Sequence, residues 1–125
     1  MTYTILVADD ESGISRLIEA VLTGYGVRVL SAAHGFEAWR MMRDERPDMA
    51  LLDLRLPFID ALALTRAVRG NADLQAMRLI LCTADRGSDS VTRATEAGID
   101  GLLLKPFTVS DVLRLVPTKV ERQVG

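Results

Sequence analysis

The sequence predicts an α/β domain in which a parallel five-stranded sheet is covered by helices on both faces. Two observations carry this. Short apolar runs recur at regular spacing, at residues 4–8, 27–31, 49–52, 79–83 and 102–104. Between successive runs lie segments whose apolar residues return with the period of an α-helix. A strand that is apolar throughout is buried on both faces, and strand alternating with helix requires crossover connections and a parallel sheet. The loops that leave the C-terminal strand ends then gather on one rim, where open α/β sheets bind ligands.

Each element has its own justification. The first run, Ile5-Leu6-Val7-Ala8, has no polar member and reads as a buried strand. Ile14, Leu17, Ile18, Val21, Leu22 and Tyr25 follow at the spacing of one helical face, with Ser12 placed to cap the start and Gly24 or Gly26 to end it. The second run alternates apolar and charged, Val27-Arg28-Val29, which suits an edge strand better than a central one. The second helix, about residues 35–43, turns Ala38, Trp39 and Met42 inward and stops before Pro47; His34 reads as its cap or as a solvated residue. The third, about residues 59–69, ends at Gly70-Asn71. The fourth, about residues 88–97, stops at Gly98 and has only Val91, Ala94 and Ala97 to bury, a thin anchor. The fifth begins at Thr108 with Val109, Val112, Leu113 and Val116 on one side. Pro117 removes a donor and disfavours helix at Val116, so a kink or break is expected there. Residues 1–117 thus form one domain, and 118–125 a C-terminal tail or the kinked end of the fifth helix.

The totals exclude several function classes. The chain of 125 residues, 49% apolar and 26% charged, is that of one ordinary globular domain. A net charge of −2 offers no electrostatic case for nucleic acid or an anionic membrane. No apolar run approaches the ~20 residues of a membrane helix, and Met1-Thr2-Tyr3 begins no signal peptide, so a cytosolic location is expected. The single cysteine, Cys82, forms no internal disulfide and sits in an apolar run as a small buried hydrophobe.

The chemistry lies at the strand ends. Asp9-Asp10 follows the first run, and Asp53 ends Met49-Ala50-Leu51-Leu52. If those strands are neighbours, three carboxylates converge on one rim. Their repulsion in partial burial is on the order of several kcal/mol. A hard divalent cation with oxygen ligands is the natural relief. Thr83-Ala84 closes the fourth strand and Lys105-Pro106 the fifth, adding a hydroxyl and an ammonium to the same rim. Taken singly, Asp9-Asp10 reads equally as a solvated turn, Thr83 as a β-branched strand residue and Lys105 as a surface lysine. Together they could hold a metal and an anionic group transferred to a carboxylate.

In this combination the chain resembles the receiver domains of two-component response regulators across essentially its whole length. The resemblance is carried by Asp9-Asp10-Glu11, by Asp53 with Pro57 and Asp60, by Thr83-Ala84 and by Lys105-Pro106-Phe107, four pieces in order at the expected strand ends. It implies a flavodoxin-like (βα)5 three-layer sandwich with strand order 2-1-3-4-5. It implies that Asp53 takes a phosphoryl group from a histidine kinase or histidine phosphotransfer protein in a Mg²⁺-dependent reaction. Asp10, Asp53 and the main-chain carbonyl of Arg55 would bind Mg²⁺, with Asp9 acting through a metal-bound water. Lys105, the Thr83 hydroxyl and the Ala84 amide would meet the phosphoryl oxygens. Thr83 would couple the event to the fourth helix, and the output surface would be helix four, strand five and helix five. The downstream effector is not specified, and direct contact with nucleic acid or membrane is not implied.

The chain also departs from the family pattern. Leu102 stands at the switch position where an aromatic is common, which leaves open a receiver-like interaction module that works without phosphate. Ala61 replaces a usual glycine, and Phe58 follows Pro57 where glycine is frequent; Phe58 would cover the site, contact a partner or simply pack. Arg55 and Asp85 flank the site with opposite charges and either pair across its mouth or stay solvated. A Mg²⁺-dependent phosphohydrolase that resembles the haloacid dehalogenase family would need an acid where Arg55 stands, and a cap for which the chain is too short. A turnover enzyme is therefore not expected.

Overall fold

The computed structural model describes residues 2–117. Five strands, β1 (Thr4–Ala8), β2 (Arg28–Ala32), β3 (Met49–Asp53), β4 (Arg78–Thr83) and β5 (Gly101–Leu104), form one sheet in the order β2-β1-β3-β4-β5. Every pairing is parallel. The helices α1 (Ser12–Thr23), α2 (Gly35–Glu45), α3 (Ala61–Arg69), α4 (Asp89–Ala97) and α5 (Val109–Leu113) alternate with the strands. The order is the one the resemblance implies, and β2 is the edge that its alternating sequence suggests.

Period-two alternation divides the strand residues between two cores. Leu6, Ala8, Ala50, Leu52, Leu79 and Leu81 face α2, α3 and α4. Ile5, Val7, Met49, Leu51, Ile80, Cys82 and Leu103 face α1 and α5. All of these are buried, which is why the runs carry no polar member. Ala38 and Met42 are buried as expected, while Trp39 is half-buried against the core with the Arg43 guanidinium over its ring at 5.6 Å.

Several expectations need correction at this level. The N-cap of α1 is Glu11, whose side chain makes no capping bond, and Ser12 is already helical. Asp9 sets this start, because its carboxylate accepts the Glu11 N–H at 2.7 Å. Leu17 and Val109 are exposed rather than inward. They line a shallow groove between α1 and α5, left open because α5 is too short to cover the whole α1 stripe. The fifth helix ends at Leu113, earlier than expected; Leu115 and Val116 donate to carbonyls three residues back, a tightened turn that buries Val116. The expectation for residues 118–125 lies outside the described residues.

Caps elsewhere follow side-chain chemistry. His34, Asp60 and Ser88 accept from the N–H three residues on at α2, α3 and α4, and Thr108 with Asp111 makes a reciprocal capping box at α5.

Candidate functional site

Strand register brings the site together. Ala8 lies opposite Leu52, so Asp9, just past the end of β1, stands beside Asp53, the last residue of β3. Asp53 lies opposite Cys82, one residue before Thr83, and Thr83 lies opposite Leu104, one before Lys105. The Lys105 N–H donates to the Thr83 carbonyl at 2.8 Å, which fixes where the lysine leaves the sheet. The alternation that sends Met49 and Leu51 toward α1 and α5 puts Asp53 on that side too. Lys105 follows the parity of Leu103, whereas Thr83 follows that of Leu79 and Leu81. The hydroxyl and the ammonium therefore approach Asp53 from different sides of the sheet plane.

Asp9 and Asp53 are buried and Asp10 is exposed. One carboxylate oxygen from each lies within 4.8 Å of the others. Oxygens around an octahedral Mg²⁺ at its usual bond length are roughly 3–4 Å apart. The three carboxylates therefore fit such an ion after a small contraction, and their hard, anionic donor set suits it. The Lys105 ammonium lies 3.3 Å from Asp53 and 3.7 Å from Asp9. Asp53 Oδ1 accepts the Arg55 N–H at 3.2 Å, which holds the turn after β3.

The charge balance is visible in the titration of these groups. Burial pushes the Asp9 carboxyl above the usual range; the Glu11 N–H bond pulls it back, the Asp53 charge pushes it up again, and Lys105 opposes both pushes. Burial also acts to lower Lys105, but the charges of Asp53 and Asp9 and its hydrogen bond to Asp53 outweigh it, so its pKa lies above the usual value. Cys82, beside Asp53 on the neighbouring strand, is pushed up to about 12 chiefly by burial, so it stays a neutral thiol.

An open cleft of about 550 Å³ rises over Asp53, lined by Thr83, Ala84 and Lys105, by Arg55, Asp60 and Leu62 on the α3 side, and by Asp85, Ser88, Ser90 and Arg93 on the α4 side. Thr83 is buried, and its hydroxyl accepts the Asp85 N–H at 3.2 Å. Leu102, at 37% exposed on β5, does not line the cleft. Arg55 and Asp85 do not pair among the described residues, because the Asp85 carboxylate is turned back to the Gly87 N–H at 2.9 Å. Phe58 does not cover the cleft either. It is 76% exposed, with a left-handed φ of 71°, and stacks on Phe36 at 5.7 Å with His34 edge-on at 5.2 Å.

Sequence reading missed Ser88, Ser90 and Arg93 as walls of the cleft. They sit on the polar face of α4, and only the crossover that returns α4 over β4 reveals that this face overlooks Asp53. It also missed Arg69. That side chain donates to the carbonyls of Gln75 and Met77 in the loop before β4 and of Gly98 after α4, and forms an ion pair with Asp100 at 2.7 Å, tying the end of α3 to both loops.

Comparison with known proteins agrees with this geometry. The family model "Response regulator receiver domain" matches residues 5–116. A chemotaxis protein CheY homolog of Campylobacter jejuni is 35% identical over 83% of this chain and 82% of its own length. The DNA-binding response regulator MtrA of Mycobacterium leprae is 29% identical over 98% of this chain, which spans 53% of that protein. The receiver domain of a sensor histidine kinase from Pseudomonas aeruginosa, solved with a magnesium ion in its active site cleft, superposes with a TM-score of 0.83 at 30% identity, covering 100% of this chain and 99% of that one. Phosphorylation on an aspartate is the role of this family, and its members generally bind Mg²⁺ at an acidic cluster. The chain belongs to the response regulator receiver domain family.

Proposed function

We propose that Asp53 is the phosphoryl acceptor and that Asp9, Asp10, Asp53 and the Arg55 carbonyl hold the Mg²⁺ that the reaction needs. The observation that carries this reading is the Lys105 ammonium 3.3 Å from a buried Asp53 whose oxygen lies within 4.8 Å of oxygens on Asp9 and Asp10. A carboxylate beside one fixed cation and a dication site can meet an incoming dianion without prohibitive repulsion. When bound, Mg²⁺ neutralises charge on the transferring phosphoryl oxygens. The chain's own groups supply position and the remaining charge stabilisation, the main contributions in phosphoryl transfer.

The donor is a phosphohistidine on a histidine kinase or phosphotransfer protein. An Asp53 oxygen bonds to phosphorus, the phosphorus–nitrogen bond breaks, and the imidazole leaves with the electron pair. Lys105 then faces the new phosphoryl oxygens, and the Thr83 hydroxyl and Ala84 amide donate to them. To do so the Thr83 hydroxyl must release the Asp85 carbonyl, to which it donates at 3.5 Å, which loosens the loop ahead of α4. Only Val91 and Ala94 anchor α4 fully, so the surface formed by α4, β5 and α5 is the one that shifts. On this reading the protein is a cytoplasmic signalling module rather than a turnover enzyme.

Leu102, in place of an aromatic, favours a second reading, an interaction module that signals without phosphate. Beryllofluoride with Mg²⁺ followed by amide NMR separates the two. The first reading predicts shifts at the rim that extend through α4. Shifts confined to the rim would leave binding without a switch, and no shifts would favour the second reading.

A further inference from the structure

Phosphoryl transfer leaves one apolar feature of the surface unused. Phe58 at 76% and Phe36 at 61% are the most exposed large apolar side chains among the described residues. They are not loose: the two rings stack at 5.7 Å, and His34 lies edge-on to both, 5.2 Å from Phe58 and 6.4 Å from Phe36. Phe58 stands at the tip of a three-residue turn, in which the Ile59 N–H donates to the Pro57 carbonyl at 3.0 Å. Its φ of 71° lies in the left-handed region, unfavourable for a bulky side chain and free for glycine. The Gly35 N–H donates to the same carbonyl at 2.8 Å, so α2 and the turn brace each other and hold the ring outward. A backbone strained to keep an aromatic in water points to a contact made outside the chain.

The charges on either side of the cluster select the occupant. Phe36, Arg40 and Arg43 fall at i, i+4 and i+7 of α2, one exposed stripe that runs from the cluster away from the rim. Glu37 and Asp44 lie to one side of that stripe, and Glu37 is bonded to the Ala33 N–H. Beyond the other end of the cluster is the rim itself. The strand order β2-β1-β3 sets residues 9–11 between the start of α2 and the turn after β3, and Asp10 and Glu11 are exposed there. One chain thus carries cations on one side of its aromatic cluster and carboxylates on the other. A two-fold axis crossing the cluster at right angles to α2 carries the arginine stripe of each copy over the carboxylates of the other, with the rings meeting at the centre. A partner of uniform charge would be repelled by one half of this surface. We propose that Phe36 and Phe58 form the centre of an isologous contact between two copies of this chain, with Arg40 and Arg43 of each facing Asp10 and Glu11 of the other. The exposed ring surface comes to roughly 200–350 Å² per copy, given the roughly 150–250 Å² of an aromatic side chain. A standard interface takes about 800 Å² per partner. The rings are therefore its core, the charged flanks its rim, and the dimer is weak and reversible. This face is separate from α4, β5 and α5, and nothing in the contact depends on Asp53 being the acceptor.

Sedimentation velocity on the full chain in low salt, from about 5 µM to about 1 mM, tests the contact. The average mass should climb from monomer toward dimer over that range. A monomer at every loading would overturn the proposal and leave the cluster to another occupant. Phe58→Gly removes the ring and keeps the turn, because glycine accepts the left-handed φ. It should raise the association midpoint at least tenfold, the loss of a central aromatic anchor. Phe36→Ser should act in the same direction. Leu17→Ser with Val109→Ser, in the groove between α1 and α5, is the control and should leave the midpoint unchanged. A dimer that survives Phe58→Gly, or that is lost only in the groove control, lies on another face and overturns the proposal. The charges give a second measurement. Arg40→Glu with Arg43→Glu turns the stripe acidic, and Glu11→Lys adds a cation to the rim. Each variant alone should associate more weakly than the wild type. An equimolar mixture should recover association, because the mixed pair sets the new acids against the new cation and keeps the native contact at the other half. No recovery on mixing would overturn the two-fold arrangement.

Discussion

Asp9 shows how one side chain serves two ends. Its carboxylate fixes the turn into α1 through the Glu11 N–H, and its charge lies beside Asp53 in a buried pocket. Without metal the second role is a liability. The folded protein holds the Asp9 proton above its ordinary value of 3.8, so the native state binds more protons than the unfolded chain just above that pH. Stability of the metal-free protein should therefore fall as pH rises through this window. Asp9→Asn should remove that loss, raise the urea midpoint in EDTA at neutral pH by roughly 1 kcal/mol of stability, and weaken Mg²⁺ binding. A midpoint that drops would mean the capping role outweighs the repulsion. Lys105 works in the opposite sense. Its pKa is raised, so its contribution is complete below the usual lysine range and lost as pH climbs through the folded value. Lys105→Met should flatten the alkaline limb of the stability profile, and an unchanged limb would show that the contacts to Asp53 and Asp9 carry no stability. These residues were legible in the sequence because each ends an apolar run, and strand ends share one rim. The Arg55–Asp85 pairing failed because Asp85 satisfies itself within its own loop, a local competition that spacing does not reveal.

The elements divide into those the sequence marks and those that only packing explains. The strands were readable from apolar runs, and His34 and Thr108 as helix starts, whereas the capping roles of Asp60 and Ser88 emerge only from the structure and Ser12 does not cap α1. Arg69 was not readable either, since an arginine in the last turn of a helix ordinarily reads as a solvated partner of the helix dipole. The Gly98 carbonyl and Asp100 reach it because α3 and α4 pack side by side, and the Gln75 and Met77 carbonyls because the loop before β4 folds back on the end of α3. Arg69→Ala should cost about 2–4 kcal/mol in urea unfolding, more than a surface arginine, because it leaves several acceptors unpaired. A cost under about 0.5 kcal/mol, the range of an ordinary surface change, would show that water replaces it freely. The contact between α2 and the loop after β3 makes a second element-scale case. The Gly35 N–H donates to the Pro57 carbonyl at 2.8 Å, and a Cβ there would strike the Ile59 backbone. Gly35→Ala should cost about 1–3 kcal/mol, the range for overpacking, with amide shifts concentrated from Pro57 to Asp60. Shifts spread evenly through α2 instead would place the strain in the helix. The short α5, ending at Leu113, was misjudged because the apolar spacing continues to Val116 while the backbone has already tightened.

At the scale of the molecule, the apolar runs required a parallel sheet and the family resemblance supplied its order; periodicity alone could not have chosen that order. The cleft was invisible in the sequence, because its two walls come from the α3 and α4 sides, which are far apart along the chain and meet only in the fold. The same architecture sets the direction of signalling. A rigid five-stranded platform carries the acid cluster, while the thinly anchored α4 hangs over one side of it. The account therefore stands or falls on whether Asp53 is the group that reacts. The protein should be incubated with acetyl phosphate and Mg²⁺, quenched, and its phosphoryl group located by peptide mass spectrometry, with parallel samples in EDTA and with Asp53→Asn. The account predicts one phosphoryl group on the peptide containing Asp53, absent from both controls. A phosphoryl group on another residue, or one that persists in the Asp53→Asn protein, would contradict it.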